Sequence, residues 1–153
     1  MQVRGPRRYV AVCGASEATP SQLDAAREVG RLLARSGAIV LNGGFGGVMG
    51  AASEGASSEG GTVVGILPDA DRGGANAHLT VALATGLGQA RNTVIVTAAD
   101  SVIAIGHGWG TLSEIALARR LDRPVVALDT WQVNGLDVVN TPAEAVRRAL
   151  HAN

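Results

Sequence analysis

The chain contains no lysine: all 13 of its basic residues are arginines. A Schiff base with pyridoxal phosphate needs a lysine amine, and so does a Walker-A phosphate loop, so both are excluded. Cys13 is the single cysteine, which rules out an internal disulfide and a cysteine-built zinc site. It ends an apolar run and reads as buried filler. Aromatic residues make up 3% of the chain, so the core must be built from Ala, Val, Ile and Leu. With zero formal net charge there is no broad basic face, and nucleic acid is not expected as a partner. The basic opening MQVRGPRR precedes an apolar run too short for a signal peptide or a membrane span. A cytoplasmic location without membrane attachment is expected.

What is present is a compact α/β pattern. A length of 153 residues with 46% apolar and 17% charged content suits one folded domain spanning 1–153. Short apolar strands are predicted at 9–13, 38–41, 62–67, 79–83, 102–105 and 125–128. Helices are predicted between them. Thr19-Pro20-Ser21-Gln22 and Thr141-Pro142-Ala143-Glu144 are capping boxes that open two of these helices. The β-branched run at 93–97 argues locally for strand. Residues 68–78, rich in Asp, Gly and Asn, form a loop, and Asn134-Gly135 marks a tight turn. Strands alternating with helices imply a doubly wound parallel sheet with helices on both faces, a three-layer αβα arrangement. Ligands in such sheets bind beyond the carboxyl ends of the strands.

Two glycine turns stand at such ends, Asn42 to Gly47 and Gly106 to Gly110. Each precedes a helix, so backbone N–H groups of Gly43, Gly44, Gly46, Gly47, Gly108 and Gly110 favour a phosphate-bearing small ligand. A nicotinamide dinucleotide is not indicated. The first strand–helix turn reads GASEAT rather than GxGxxG, and the second strand ends in Asn42 instead of an acid. Ser16, after the first strand, is a candidate hydroxyl for the ligand. Arg91, in GQARNT, is placed to clamp a phosphate bidentately. Thr111 and Glu114 read in two ways. T-x-x-E is itself a capping box opening a helix at Thr111. Alternatively Glu114, in the first helical turn and turned away from Leu112, Ile115 and Ala116, supplies a carboxylate for water activation or oxocarbenium stabilisation. His107 borders the second turn and is a possible ligand contact. His78, His107 and His151 are too scattered to suggest a metal site.

NGGFGGVMGAASEGA, TGLGQARN and IGHGWGTLSEIALA together resemble the LONELY GUY (LOG) superfamily, a group often mislabelled as lysine decarboxylase. The resemblance runs from about Tyr9 to Leu128 and implies a Rossmann-like sheet, helical at 88–98, in a homo-oligomer such as a dimer or tetramer. Its best-known members cleave cytokinin nucleoside 5′-monophosphates to free base and ribose 5-phosphate, without a cofactor. By resemblance Arg91 matches their arginine, Gly108, Gly110 and Thr111 their phosphate-binding turn, and Glu114 their essential glutamate. The chain departs from the hydrolases at four places. Asn92 stands where lysine is usual, Gly106 replaces a proline, His107 a glycine, and Ser113 a frequent second glutamate. In these respects it is more similar to a sibling branch that includes the molybdenum cofactor carrier proteins. That likeness implies a carrier for a phosphorylated nucleotide or pterin, such as the molybdenum cofactor, with Asn92 among the ligand-binding residues. The alternative is an N-glycosidic hydrolase, a nucleoside 5′-monophosphate phosphoribohydrolase using Arg91 and Glu114.

Overall fold

The computed structural model describes residues 6–153. Seven strands form one sheet: β1 (Tyr9–Gly14), β2 (Ile39–Asn42), β3 (Thr62–Leu67), β4 (Val81–Ala84), β5 (Ser101–Gly106), β6 (Val125–Thr130) and β7 (Asp137–Val139). Their order is β4-β3-β2-β1-β5-β6-β7 and every pairing is parallel. Helices α1 (Pro20–Arg35), α2 (Val48–Ser58) and α5 (Pro142–His151) cover one face. Helices α3 (Arg91–Ala98), entered through a 3-10 turn at Gly88–Ala90, and α4 (Trp109–Arg120) cover the other. This is the Rossmann-like arrangement expected from the alternation of elements.

Strand alternation divides the core. Along β1, Val10 and Val12 pack with Val29, Leu33 and Val48, while Ala11 and Cys13 pack with Ile95, Val96 and Ile115. The same packing decides the segment at 93–97. Ile95 and Val96 are fully buried against the sheet in α3, so tertiary contacts override the β preference of the run.

Three local expectations need correction. First, α4 begins at Trp109 with Gly108 as its N-cap, and no side chain caps it. Thr111 therefore lies inside the first turn and is not the cap, because the glycine turn carries the chain into helical geometry two residues earlier. Second, the box at Thr141 forms by half. Its hydroxyl accepts from the Glu144 N–H at 3.2 Å, while the Glu144 carboxylate goes to Arg148 at 3.6 Å. The box at Thr19 is complete. Third, β7 is an additional edge strand of three residues, too short to leave a periodic signal.

Helices α1 and α2 meet through two positions without side chains. A Cβ at Gly30 would be driven into the Ala52 carbonyl, and one at Gly55 into the Arg27 carbonyl. The bridges Arg27–Glu54 (3.2 Å) and Arg31–Glu59 (3.4 Å) rim this contact but are solvated, so packing dominates over charge there. Gly30→Ala tests the point, since alanine is intrinsically the better helix former by about 1 kcal/mol. We expect a net loss of about 1–3 kcal/mol from overpacking, read as a lower urea midpoint. An unchanged midpoint would show that the helices separate at no cost.

Candidate functional site

Crossovers leave β1 and β5 in opposite directions, to β2 on one side and β6 on the other. Their carboxyl ends therefore flank a crevice, the usual ligand position in such sheets. A cavity of about 840 Å³ opens there, walled by the loop after β1, the start of α3 and the start of α4. Close main-chain approach makes it. Gly106 has φ +89 and turns the chain out of β5, and Gly108 lies against Ala15, where a Cβ would sit 3.2 Å from the alanine methyl. Gly14 leaves no space for a side chain beside Val48 and the Ile105 carbonyl. The uncapped first turn of α4 is thereby presented to the cavity. Free N–H groups and the positive end of the helix dipole suit an anion.

Ser16, Arg91, Asn92, Gly108, Gly110, Thr111 and Glu114 line this one cavity. The glycines of the other turn are placed differently. Gly43 and Gly44 are buried and do not line it, Gly46 is exposed away from the wall, and Gly47 lines a neighbouring cavity of about 540 Å³ with Ser16 and His78. What this segment gives the main cavity is Phe45 from the loop and Met49 from the first turn of α2. Asn42, at the end of β2, is structural: its amide donates to Ser53 at 2.9 Å and its oxygen accepts the Gly44 N–H at 2.8 Å.

Arg91 is 7% exposed. Its Nη1 donates to the carbonyls of Gly43 (2.5 Å) and Ile66 (2.6 Å), and the guanidinium lies 5.6 Å from the Phe45 ring centroid. It ties the ends of β2 and β3 together, and its Nε has no partner. Burial lowers its affinity for the proton from the ordinary arginine value. Asn92 and Thr111, which line the same cavity, are buried as well. The Asn92 amide donates to Ser113 at 3.3 Å, while Asn92 Oδ1 and Thr111 Oγ1 are unpartnered. Orphaned buried polar atoms are costly unless something else satisfies them, and here they cluster at a cavity.

Glu114 lies in the second turn of α4 and turns inward. The core face of this helix is Thr111, Ile115 and Ala118, with Ala116 exposed. The Glu114 carboxyl is desolvated, which pushes it up to about 7 against the opposing pull of a Cys13 hydrogen bond and the Arg91 charge. Burial and the Glu114 charge in turn raise the Cys13 thiol well above its ordinary value. Cys13 is thus core filler on a wall shared with the site. His107 is exposed, 3.4 Å from the Gln22 amide through Nδ1, and that amide also reaches Asp129 at 3.2 Å. Gln22, Phe45 and Trp109 also line the cavity, without a sequence signal that marks them as site residues. Gln22 gave no separate signal because its side chain is already used in the capping box.

The sheet order, the glycine-opened α4 and the crevice define a Rossmann-like α/β protein. The family model for the SLOG cluster4 family matches residues 7–151, and the chain belongs to that family. The molybdenum cofactor binding protein from the phototrophic bacterium Rippkaea orientalis is 35% identical, with TM-score 0.89 over 93% of this chain and 94% of that one. The molybdenum cofactor carrier protein of Chlamydomonas reinhardtii is 31% identical, with TM-score 0.85 over 93% and 95%. A probable cytokinin riboside 5′-monophosphate phosphoribohydrolase of Oryza sativa subsp. japonica is 34% identical over 71% of this chain, which spans 50% of that protein. The chain is therefore LOG-like, with its structural likeness on the molybdenum cofactor carrier side.

Desolvation of Glu114 has a thermodynamic signature. Its native pKa lies above the unfolded value, so its contribution to stability is complete below about 4.5 and fades as pH rises through about 7. Wild type should lose on the order of 3 kcal/mol between pH 5 and pH 8 relative to Glu114→Gln. Urea unfolding at the two pH values checks this; parallel behaviour of the two proteins would place the carboxyl in water.

Proposed function

We propose that this protein binds and carries a phosphorylated small molecule, a nucleotide or a phosphorylated pterin such as the molybdenum cofactor, with the phosphate at the start of α4. The observation that carries this is the uncapped first turn of α4 opening into the switch-point cavity beside the unpartnered atoms of Asn92 and Thr111. Arg91 supports a holding role, because its Nη1 is engaged by two main-chain carbonyls. Among the described residues no group of three or more His, Cys, Asp or Glu could hold a metal ion. A molybdenum-bearing cargo would accordingly be gripped through its phosphate and its ring. From resemblance, the carrier is read as a cytoplasmic homo-oligomer; among the described residues, no helix is long and apolar enough to cross a membrane.

Gly110→Asp tests the phosphate site. Nothing lies within 4 Å of a Cβ there, and an acid in a first helical turn stabilises by about 0.3–1 kcal/mol. We expect an unchanged or slightly higher melting temperature in the apo protein and loss of the shift produced by AMP. A retained AMP shift would place the phosphate elsewhere.

One observation favours hydrolysis as a second reading. A carboxyl titrating near 7 in a cavity has the affinity expected of a general base at neutral pH. Water would add at C1′ of a nucleoside 5′-monophosphate, the N-glycosidic bond would break, and ribose 5-phosphate and free base would leave. Because Glu114 must be ionised for this, release of adenine from AMP should rise with pH through about 7 and vanish in Glu114→Ala. Chromatographic assay at pH 6 and pH 8 decides it. No release at either pH, with AMP still bound, leaves the carrier.

A further inference from the structure

Only four aromatic residues occur in the chain, Tyr9, Phe45, Trp109 and Trp131. Tyr9 opens β1 at the amino end of the sheet. Phe45 and Trp109 line the main cavity, and Trp131 packs against its rim. The rings of Trp109 and Trp131 lie 5.2 Å apart at 35°, and His107 meets Trp131 edge-on at 5.9 Å. Trp131 is itself pinned by its indole N–H, which donates to the Gly108 carbonyl at 2.9 Å. Trp131 packs against the edge of the aliphatic core, whereas Trp109 belongs to neither core cluster, so packing does not account for it.

Of the three aromatic side chains there, Phe45 and Trp131 are half-buried and engaged by neighbours, and Trp109 alone is exposed. Phe45 carries the Arg91 guanidinium, and Trp131 lies between His107 and Trp109. Trp109 is propped by Trp131, yet it is 77% exposed, the most exposed large hydrophobic side chain among the described residues. It is also the first residue of α4, next to the Gly108 cap and the free N–H groups of that turn. An exposed indole fixed by a second, hydrogen-bonded indole is a preformed stacking surface, since ordering it costs little on binding.

We propose that Trp109 is the ring-recognition residue of this site, stacking on the planar heterocycle of a ligand whose phosphate lies at the adjoining turn of α4. This rests on the phosphate-binding reading above and adds the residue that selects, within it, a phosphate ester bearing a flat nitrogen heterocycle, purine or pterin, over a bare sugar phosphate. Stacking is tolerant of ring identity because every such ring offers a π face. Discrimination by Trp109 is therefore between ring and no ring.

Calorimetric titration of the full chain with AMP and with ribose 5-phosphate tests this in wild type, Trp109→Ala and Trp109→Phe. Wild type should bind AMP about tenfold or more tightly than ribose 5-phosphate, as expected for one base–aromatic stack. Trp109→Ala should bring the two affinities together by weakening AMP alone, and Trp109→Phe should keep most of the preference. If wild type binds both ligands equally, or if Trp109→Ala leaves the ratio intact, the assignment of Trp109 is overturned while phosphate binding stands. An intact ratio accompanied by a changed sedimentation coefficient would overturn it too, making Trp109 a contact between copies. Binding of neither ligand by wild type would overturn both the assignment and the phosphate reading beneath it.

Discussion

Two loops, the one between β2 and α2 and the one between β5 and α4, close on Ala15 in the loop after β1, and the site exists because glycines let them approach. The Val48 N–H donates to the Ala15 carbonyl at 3.0 Å. Gly47, with φ +63, leaves room for the Ala15 and Ser16 carbonyls. Gly106 and Gly108 come against Ala15 from the other side. A Cβ at Gly47 would force the β2–α2 loop away and take Phe45 and Met49 out of position. One at Gly108 would lift the start of α4. The cavity floor is thus glycine backbone packed on Ala15, and its shape is set by sterics before any ligand arrives.

An arginine-only complement of cations makes sense beside this. Arg7, Arg8, Arg91, Arg119 and Arg123 all donate to main-chain carbonyls, those of Gly37, Ala149 and Ala152, Gly43 and Ile66, Gly135, and Val96 and Thr97. Several of these carbonyls lie at helix ends, where intrahelical partners run out. Arg123 spreads two nitrogens over two such oxygens, and Arg8 and Arg91 each hold two from one Nη whose N–H directions are fixed in the guanidinium plane, which a rotating ammonium does less well. Arg91 is the buried extreme of a habit seen across the surface.

Much of the fold was legible because strand and helix periods alternate cleanly and the punctuation is explicit, as at Thr19-Pro20 and Gly37. Residues 88–98 were legible only through resemblance, since Thr93 to Thr97 carry strand preference and burial of Ile95 and Val96 overrides it. The location of the site was legible from glycine turns at strand ends. Its internal directions were not. The sequence pattern sets Glu114 opposite a core face of Leu112, Ile115 and Ala116; the buried face is Thr111, Ile115 and Ala118, which turns the carboxyl toward Cys13 at the cavity wall. Asn42-Gly43-Gly44 looked like ligand-facing backbone, and the Asn42 side chain instead consumes the Gly44 N–H. Local sequence cannot show a partner drawn from 48 residues away, as Arg91 is to Gly43.

The clustering of both indoles has an optical consequence. Every tryptophan of this chain sits at the rim of the switch-point cavity, and the one tyrosine lies at the amino end of β1. The aliphatic core contributes no chromophore of its own. Emission excited at the red edge of the indole band therefore comes from the site alone. Its wavelength and intensity report the wetting and covering of Trp109 and, through Trp131, the edge of the core cluster against which that ring packs.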